Sequence, residues 1–469
     1  MLGSEHEAAV LPRTEGGQVS RYVIVGGGVA GTRAAQTIRG NVPAADIIIL
    51  AREDRPFYRR PQLSEYAAGR LSEGALMARA PSFWREERID LRLDSEVVGV
   101  EPGTSSVRLA DGSSLRYDHL IIATGREPNH TGVGGSHLPG VMSFQTLGEA
   151  AQLRALQGGS GRVVVYGDSL PALQMVQAAA ACGLRVTYLL AGERILPNVL
   201  DEDASRVVGG RLRAAGVTLV WGAVVRSIEE EGGRAAGVTV DGGEVYPADL
   251  VGACAVYTPA TDMLPGGGSG FRVAEDLSTP WPHVWAAGDV VGDEPPFNWL
   301  RAWRQGERVG LAACGTRMST GSGRSNVHVL NCQLMGLSVV AIGQTVVPYR
   351  SGPSEVRTEV IGEFYKKLVF APDGRLIGAL LVGNVAEAGE LEEAVRIGSG
   401  KGDIDPGLMK QIFEPTYRPR FTGVQCPVCR HEIQLEPDVK AGDRVTCPIC
   451  GVEFELVEGA QGLDVRAVE

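Results

Sequence analysis

The sequence lacks any run of 18 or more apolar residues, and its first residues lack the basic and apolar regions of a secretory signal peptide. We therefore expect a cytoplasmic protein with no membrane partner. Positive charge is also in deficit, because 45 Lys and Arg face 56 Asp and Glu, for a formal net charge of −11. Nucleic acids and anionic membranes are polyanions, so this charge disfavours both. The expected partners are a small-molecule substrate or a protein.

Cysteine is scarce as well, with 8 residues in a chain of 469, which is too few for a disulfide framework. Half of them form two Cys-Pro-x-Cys knuckles, Cys426 with Cys429 and Cys447 with Cys450, separated by 17 residues. Four thiolates at this spacing are enough for one tetrahedral metal site. The sequence predicts a small ribbon that binds zinc, with iron as the competitor. The short spacer counts against iron, because rubredoxin-type sites space their knuckles more widely.

Two segments of the chain show the strand–turn–helix–strand pattern of a βαβ unit. Over residues 21–53 an apolar run ends in a glycine turn, a helix-like stretch follows, and a second apolar run closes the unit. Residues 162–190 repeat this order. Between residues 327 and 383 apolar and polar residues alternate around hairpin signals, which predicts an antiparallel sheet, and a helix is expected over 387–399.

The turn of the first βαβ unit carries the spacing of a dinucleotide fingerprint, with glycines at Gly26, Gly28 and Gly31. In such a turn the first glycine makes the tight bend, the second lets the backbone approach a pyrophosphate, and the third lets helix and strand pack closely. The phosphates would lie at the positive end of the helix. Glu53, just past the second strand, is placed to accept hydrogen bonds from a ribose diol. The sequence therefore predicts a dinucleotide site here.

Three further segments follow in chain order: Pro56–Ser64, Ala123–Gly125 and Val284–Asp289. With them the chain resembles the ferredoxin, rubredoxin and nitrite reductase-like branch of the pyridine nucleotide-disulfide oxidoreductases, over roughly residues 21–415. The resemblance implies an FAD-dependent oxidoreductase in which the flavin carries out the redox chemistry. It assigns no side chain to catalysis as an acid, base or nucleophile.

The resemblance also implies the contacts to FAD. Asp289 would contact the ribitol, Arg60 would lie near the pyrophosphate or the flavin, and the segment from Trp299 to Gln305 would lie beside the isoalloxazine ring. The residues expected to bind FAD are Gly26, Gly28, Gly31, Glu53, Arg60, Val97, Thr124, Gly125, Gly288, Asp289 and Trp299.

The same family often carries a Cys-x4-Cys redox pair on its first helix, but residues 31–38 contain no cysteine. We expect no dithiol relay there. The remaining cysteines are isolated in the sequence, and such residues are more often small buried apolar side chains than nucleophiles. They are Cys182, Cys254, Cys314 and Cys332.

These patterns and the resemblance predict an α/β fold with two Rossmann-like dinucleotide-binding domains, an α+β C-terminal domain and a small zinc ribbon. The α+β domain often forms a dimer interface in the family, so a homodimer or a larger complex is open. The predicted boundaries are a flexible tail at 1–20, an FAD-binding domain at 21–147 and 272–324, a second NAD(P)-type domain at 148–271, the α+β domain at 325–413, a linker at 414–423, the ribbon at 424–458 and a tail at 459–469.

The second βαβ unit departs from the dinucleotide fingerprint. Its turn is Gly167-Asp168-Ser169, so a serine replaces the second glycine and its Cβ would press on a pyrophosphate. The Asp168 carboxylate close to two phosphates would cost Coulomb energy if it pointed inward. Leu190 stands where an acid usually binds the ribose. The NAD(P)-type site is therefore expected to be degraded.

Two more departures concern an ion pair that the family places near the flavin. The family's Leu-Ser-Lys is Leu-Ser-Glu65 here, and the glutamate that pairs with that lysine is Gln174. The loss of both charged partners together is physically reasonable, because a buried charge without its partner strongly destabilises a protein. Two alternatives stay open: NAD(P)H still binds through backbone amides, or the flavin exchanges electrons with another donor, substrate or protein subunit.

The ribbon also resembles the zinc-ribbon amino-group carrier proteins of lysine and arginine biosynthesis. The resemblance covers residues 424–458 and includes the elements Glu432–Glu436 and Val439–Asp443. Those carriers load substrate on a C-terminal glutamate, and this chain ends in Glu469, but the residues before it do not match the carriers' ending. We expect the ribbon to be a protein-docking module, with a substrate carrier at Glu469 as a further hypothesis.

Overall fold

The computed structural model describes residues 19–130, 132–265, 270–292, 298–316, 327–346, 355–404, 423–426, 432–435, 439–447, 453–459 and 462–467. The predicted tail before residue 19 and most of the predicted linker at 414–423 lie outside these residues. Within the described part of the chain, no helix is both long and apolar enough to cross a membrane.

The strands and helices are numbered in chain order. Up to residue 154 they are β1 (Arg21–Val25), α1 (Val29–Asn41), β2 (Asp46–Leu50), α2 (Leu63–Ala67), α3 (Glu73–Leu76), α4 (Phe83–Glu86), β3 (Ile89–Arg92), β4 (Val97–Glu101), β5 (Ser106–Leu109), β6 (Ser114–Arg116), β7 (His119–Ile122), β8 (Arg126–Pro128), β9 (Val141–Met142) and α5 (Leu147–Arg154). Up to residue 259 they are β10 (Arg162–Tyr166), α6 (Leu170–Ala181), β11 (Arg185–Leu190), α7 (Glu202–Ala214), β12 (Thr218–Trp221), β13 (Val225–Glu231), β14 (Arg234–Val240), β15 (Val245–Pro247), β16 (Leu250–Ala253) and β17 (Tyr257–Pro259). The rest are β18 (Val284–Ala286), α8 (Trp299–Ala313), β19 (Val329–Leu334), β20 (Leu337–Gly343), β21 (Glu355–Ile361), β22 (Phe364–Phe370), β23 (Leu376–Val382), α9 (Ala388–Ile397), β24 (Gly423–Gln425), β25 (Glu432–Gln434), β26 (Arg444–Thr446), β27 (Glu453–Gly459) and β28 (Gly462–Ala467).

The structure divides into two compact units. Among the described residues, the first contains those of 19–58, 79–127 and 258–316, and the second contains those of 59–78, 128–257 and 327–467. The chain thus passes between units after residues 127 and 257, whereas the sequence placed the domain boundaries after 147 and 271. Residues 59–78 also belong to the second unit, although the sequence assigned them to the first predicted domain. The sequence could not show this because the segment is defined by packing rather than by pattern.

The first unit is built on a parallel sheet with strand order β18-β7-β1-β2-β3. Its central strands are continuous apolar runs, as expected for parallel strands that are covered on both faces. The predicted βαβ unit is confirmed, since β1, α1 and β2 follow one another over residues 21–50. One core cluster includes Val23, Ile48, Leu120 and Val284 from four neighbouring strands.

The second unit contains another parallel sheet, of order β12-β11-β10-β16-β9, and a small antiparallel sheet, β13-β14-β15. The predicted βαβ unit at residues 162–190 is confirmed as β10, α6 and β11. The predicted antiparallel sheet is also confirmed, with order β19-β20-β23-β22-β21. Helix α9 packs on that sheet through Leu391 and Val395 and matches the helix expected at 387–399.

The ribbon consists of the hairpin β24-β25 and the three-stranded meander β26-β27-β28. Cys426 directly follows β24, Cys447 directly follows β26, and both are buried. The other two predicted ligands, Cys429 and Cys450, lie outside the described residues. One cysteine of each knuckle thus directly follows the first strand of a hairpin, and the four-cysteine metal site stays a prediction.

Candidate functional site

The predicted site residues of the first unit gather at one edge of its sheet. The glycine turn follows β1, Glu53 follows β2, Thr124 follows β7 and Asp289 follows β18. Because these strands are parallel neighbours, their carboxyl ends meet at the same edge. In open α/β sheets ligands bind in the crevice outside these ends.

The three glycines of the first turn are needed for different reasons. A Cβ on Gly26 would lie 2.2 Å from the Ala123 carbonyl oxygen, and a Cβ on Gly31 would lie 2.0 Å from the Gly26 carbonyl oxygen. Both glycines are therefore required by the fold itself. A Cβ on Gly28 would meet no described atom within 4 Å. The space beside Gly28 is open and suits the close approach of a phosphate.

The N-terminus of α1 is free of internal capping. Its N-cap residue is Gly28, no side chain among the described residues caps the helix, and the first turn contains no acidic residue. The first amide groups and the positive end of the helix dipole therefore favour an external anion.

Glu53 and two aromatic rings lie on neighbouring loops of the same unit. The Tyr58 hydroxyl donates a hydrogen bond of 2.7 Å to a carboxylate oxygen of Glu53, which orients this acid. Phe57 stacks on Trp299 with ring centroids 5.4 Å apart and an angle of 19° between the rings. Trp299 is the first residue of α8, which Asn298 caps by accepting a hydrogen bond from the Arg301 amide.

The Thr124-Gly125 segment is fixed by the following part of the unit. The Thr124 hydroxyl donates to the Ala260 carbonyl over 2.8 Å, and the Ala260 amide donates to the Gly125 carbonyl over 3.0 Å. Gly125 has a φ of +77°, a value that strongly favours glycine. Gly288 is held in a similar way, because its amide donates to the Gln305 side chain over 2.7 Å.

Two arginines that sequence reasoning missed, Arg126 and Arg301, interact electrostatically with each other, and Arg126 also interacts with Asp289. Burial lowers the pKa of Arg126, the negative charge of Asp289 acts in the opposite direction, and the positive charge of Arg301 lowers the pKa further. Asp289 therefore lies close enough to the partly buried Arg126 for the two charges to interact. The only sequence signal was position, since Arg126 directly follows Gly125 and Arg301 lies in the segment expected beside the flavin ring.

Two residues predicted to bind FAD, Arg60 and Val97, do not lie at the strand ends where the others gather. Arg60 lies in the second unit, in a short 3-10 helix at Arg60–Gln62, and its guanidinium donates to the Gln145 carbonyl. Val97, in β4, belongs to the apolar core of the first unit. Their predicted contacts to FAD stay predictions.

The turn of the second βαβ unit differs from the first in its capping. Ser169 is the N-cap residue of α6; its hydroxyl accepts a hydrogen bond from the Ala172 amide and donates one of 2.6 Å to the Cys254 carbonyl. Pro171, in the first turn of α6, has no amide hydrogen to offer. Sequence reasoning noticed the serine but missed the effect of the proline. Fewer free amides would therefore be available to a phosphate at this turn than at the start of α1.

Glu65, which stands where the family has the lysine of its ion pair, has a different partner nearby. Glu65 accepts hydrogen bonds from two nitrogens of Arg70, at 2.7 and 3.0 Å, in a half-exposed position. The sequence did not suggest Arg70 as the new partner. Of the isolated cysteines, Cys182, Cys254 and Cys314 are buried as expected, whereas Cys332 is only partly buried.

Two successive Rossmann-type sheets and an uncapped glycine turn are the architecture of a dinucleotide-binding protein. Residues 20–306 match the family described as pyridine nucleotide-disulphide oxidoreductase, and the chain belongs to this family. It is therefore an FAD-dependent oxidoreductase. Residues 424–466 match the LysW-like globular domain of the alpha-aminoadipate carrier protein.

Curated relatives and solved structures agree with this assignment. The chain is 31% identical to rubredoxin-NAD(+) reductase of Pseudomonas putida, over 57% of this chain and 71% of the relative. It is 29% identical to a ferredoxin–NAD(P)(+) reductase of Sphingomonas, over 82% of this chain and 94% of the relative. The covalent putidaredoxin reductase–putidaredoxin complex shares the fold, with a TM-score of 0.74, 21% identity and coverage of 84% of this chain and 96% of that chain.

Proposed function

We propose that the chain passes electrons from NAD(P)H through FAD to a small redox protein of the ferredoxin or rubredoxin kind. The observation that carries the proposal is the glycine turn of the first unit, with an uncapped helix and open space beside Gly28. The names of the relatives support both the nicotinamide donor and the protein acceptor.

In this proposal the first unit binds the cofactor. The amides at the start of α1 bind the pyrophosphate, and Glu53, oriented by Tyr58, accepts hydrogen bonds from the adenosine ribose. Asp289 accepts from the ribitol, and Trp299 with Phe57 provides an aromatic surface for the isoalloxazine ring. When bound, FAD supplies the electron transfer, and the side chains supply binding and electrostatics.

The test is optical. The purified protein should show a flavin spectrum, and anaerobic mixing with NADH or NADPH should bleach the flavin absorbance within seconds. Reoxidation by an added ferredoxin or rubredoxin would then establish the acceptor class. A colourless protein that FAD cannot reconstitute would contradict the proposal as a whole.

A second candidate function is supported by the turn of the second βαβ unit. Because Ser169 occupies the Ala172 amide and Pro171 has none, the grip on a nicotinamide dinucleotide is reduced there. The flavin could then receive electrons from another donor or protein subunit. Failure of millimolar NADH and NADPH to bleach the flavin, together with a stoichiometric partner on purification, would favour this candidate over the first.

For the ribbon we propose a zinc site formed by Cys426, Cys429, Cys447 and Cys450, and a role in protein docking. The burial of Cys426 and Cys447 after matching strands supports a shared interior site. Metal analysis should find one zinc per chain. Intact mass spectrometry of protein from its native host tests the carrier hypothesis, which requires a mass increase on the peptide that contains Glu469.

A further inference from the structure

The end of β11 lies directly beside the turn of the second βαβ unit. The Gly167 amide of this turn donates a hydrogen bond of 3.2 Å to the Leu189 carbonyl. On the other side, the Ala223 amide donates one of 3.0 Å to the Leu190 carbonyl. Leu190, the last residue of β11, is therefore flanked by the turn after β10 and by the chain that follows β12. In a dinucleotide-binding domain this is the place of the adenosine ribose.

Leu190 gives the strand end no means of selecting a ribose with a free 2′-hydroxyl. An acid at this position accepts hydrogen bonds from the ribose of NAD, and its negative charge repels the 2′-phosphate of NADP. The leucine is apolar and 0% exposed, so it provides neither the acceptor nor the repulsion. The second unit therefore lacks the group that favours NADH over NADPH.

One arginine follows on the loop between β11 and α7. Arg194 is half-buried, and within the described part of the chain its guanidinium makes one hydrogen bond, of 3.4 Å, to the Leu200 carbonyl. A guanidinium carries five N–H donors in a planar fork that matches the oxygens of a phosphate. Most of the donors of Arg194 are therefore open to an anion.

The loop around Arg194 is fixed by hydrogen bonds and burial. The Ile195 amide donates a hydrogen bond of 2.9 Å to the Ser205 hydroxyl. The Leu200 amide donates one of 2.9 Å to the Leu196 carbonyl, and both Ile195 and Leu200 are 0% exposed. Leu196 has a φ of +46°, a left-handed conformation that is unfavourable for a residue other than glycine. Such strain persists only where the surroundings fix the chain, and it is common at ligand clamps.

The start of α6 increases the need for another phosphate contact. Ser169 accepts a hydrogen bond from the Ala172 amide and Pro171 has no amide hydrogen, so few amides remain for a pyrophosphate. A charge-assisted contact to a 2′-phosphate would replace part of the lost binding. Of the two nicotinamide coenzymes, only NADPH carries this phosphate.

From this geometry we infer that the second unit selects NADPH over NADH, with Arg194 binding the 2′-phosphate of the coenzyme. The inference rests on the proposed function, because it assumes that a nicotinamide dinucleotide is the electron donor. The neighbouring Glu193 carries the opposite charge, but its side chain is exposed and solvent screens it.

The test compares two adenosine ligands by isothermal titration calorimetry of the full-length protein saturated with FAD, so that the first unit is occupied. Adenosine 2′,5′-bisphosphate and 5′-AMP differ only in the 2′-phosphate, and neither takes part in a redox step. The bisphosphate should bind at least about tenfold more tightly, the gain expected for one charge-assisted hydrogen bond. Arg194→Met keeps the apolar stem of the side chain and should remove this difference without changing the affinity for 5′-AMP.

Arg206→Met is the matched control. Arg206 is an exposed arginine on α7 of the same unit and pairs with Glu202 and Asp203, so its loss should leave both affinities unchanged. Equal affinities of the wild type for the two ligands, no binding of either, or an equal loss of both in Arg194→Met would overturn the inference.

Anaerobic bleaching of the flavin separates this inference from the proposed function. NADPH should bleach the flavin at a concentration at least about tenfold lower than NADH, and Arg194→Met should abolish the difference. Equal bleaching of the wild type by both coenzymes would leave the proposed function intact and overturn the inference. Bleaching by neither, with the bisphosphate still preferred over 5′-AMP, would contradict the proposed electron donor instead.

Discussion

At the scale of single residues, two glycines of the first turn should affect different properties, Gly28 the binding of FAD and Gly31 the stability of the fold. Gly28→Ala places a methyl group in open space and keeps an allowed backbone, so the fold should be retained, whereas FAD affinity should fall by at least about tenfold because the phosphate approach is blocked. Gly31→Ala should instead destabilise the protein, since its Cβ would collide with the Gly26 carbonyl. Thermal unfolding and FAD titration of both variants check this pair. Equal behaviour of the two variants would contradict the assignment.

A second residue-scale prediction concerns His119. Burial, helped by the nearby His283, lowers the pKa of His119 from 6.5 to about 4. As the pH falls, His119 therefore takes up a proton at a higher pH in the unfolded chain than in the folded protein. The free energy of unfolding should fall as the pH drops from 6.5 to 4, by at most about 3 kcal/mol from this group. His119→Phe keeps a ring against Tyr22, where the centroids are 4.5 Å apart, and should flatten this dependence. Urea unfolding at pH 7 and 4.5 measures the change in the free energy of unfolding between the two pH values. The same change in the variant as in the wild type would refute the prediction.

The sequence was informative at this scale wherever a local pattern imposes geometry. Gly26, Gly28 and Gly31 were predicted with their separate reasons, because a tight turn fixes them within six residues.

Glu149, which caps α5 and binds the loop before it, was not predicted. Thr146 and Glu149 have the Thr-x-x-Glu spacing of a capping box, which the sequence analysis did not use. The further hydrogen bonds to Glu149 from the Ser143 and Gln145 amides depend on how the loop turns, and no spacing rule encodes that.

At the scale of elements, the packing of α1 against α8 depends on glycine. A Cβ on Gly306 would lie 2.4 Å from the Ala30 carbonyl oxygen, so Gly306→Ala should separate the helices and cost about 1–3 kcal/mol. Gly210 in α7 is a matched control, because a methyl group there would meet no described atom within 4 Å and alanine is the better helix former. Gly210→Ala should raise stability by up to about 1 kcal/mol. Denaturant unfolding compares the two, and a stable Gly306→Ala variant would contradict this packing.

The two βαβ units, the antiparallel sheet at 327–383 and α9 could be predicted from sequence patterns, but the capping of the helices could not. The order β10, α6 and β11 was expected, and so was the departure at Ser169. The Ser169 hydroxyl caps α6 and also donates a hydrogen bond to the Cys254 carbonyl. Cys254 lies 85 positions further along the chain, so the sequence pattern did not indicate this second bond. These hydrogen bonds of Ser169 are therefore visible only in the structure.

At the scale of the whole molecule, a buried ion pair joins distant parts of the second unit. Lys367, on β22, donates a hydrogen bond of 2.8 Å to Asp201, the N-cap residue of α7, and its side chain is only 7% exposed. Tyr365 donates to the same carboxylate. The partners are 166 residues apart in the sequence, so no local pattern could have predicted the pair.

The ion pair between Asp201 and Lys367 leads to a prediction about the stability of the second unit. Asp201→Asn keeps an oxygen that can cap α7 but leaves the Lys367 charge buried without its counter-ion, and should cost about 3 kcal/mol. Lys367→Met should cost less, because Asp201 still accepts from Tyr365 and from the Ala204 amide. The double variant should be more stable than the sum of the single effects implies, by at least about 1 kcal/mol, since it removes the isolated charge. Additive losses in urea unfolding would show that the two charges do not interact, and the link between α7 and β22 would then rest on apolar packing alone.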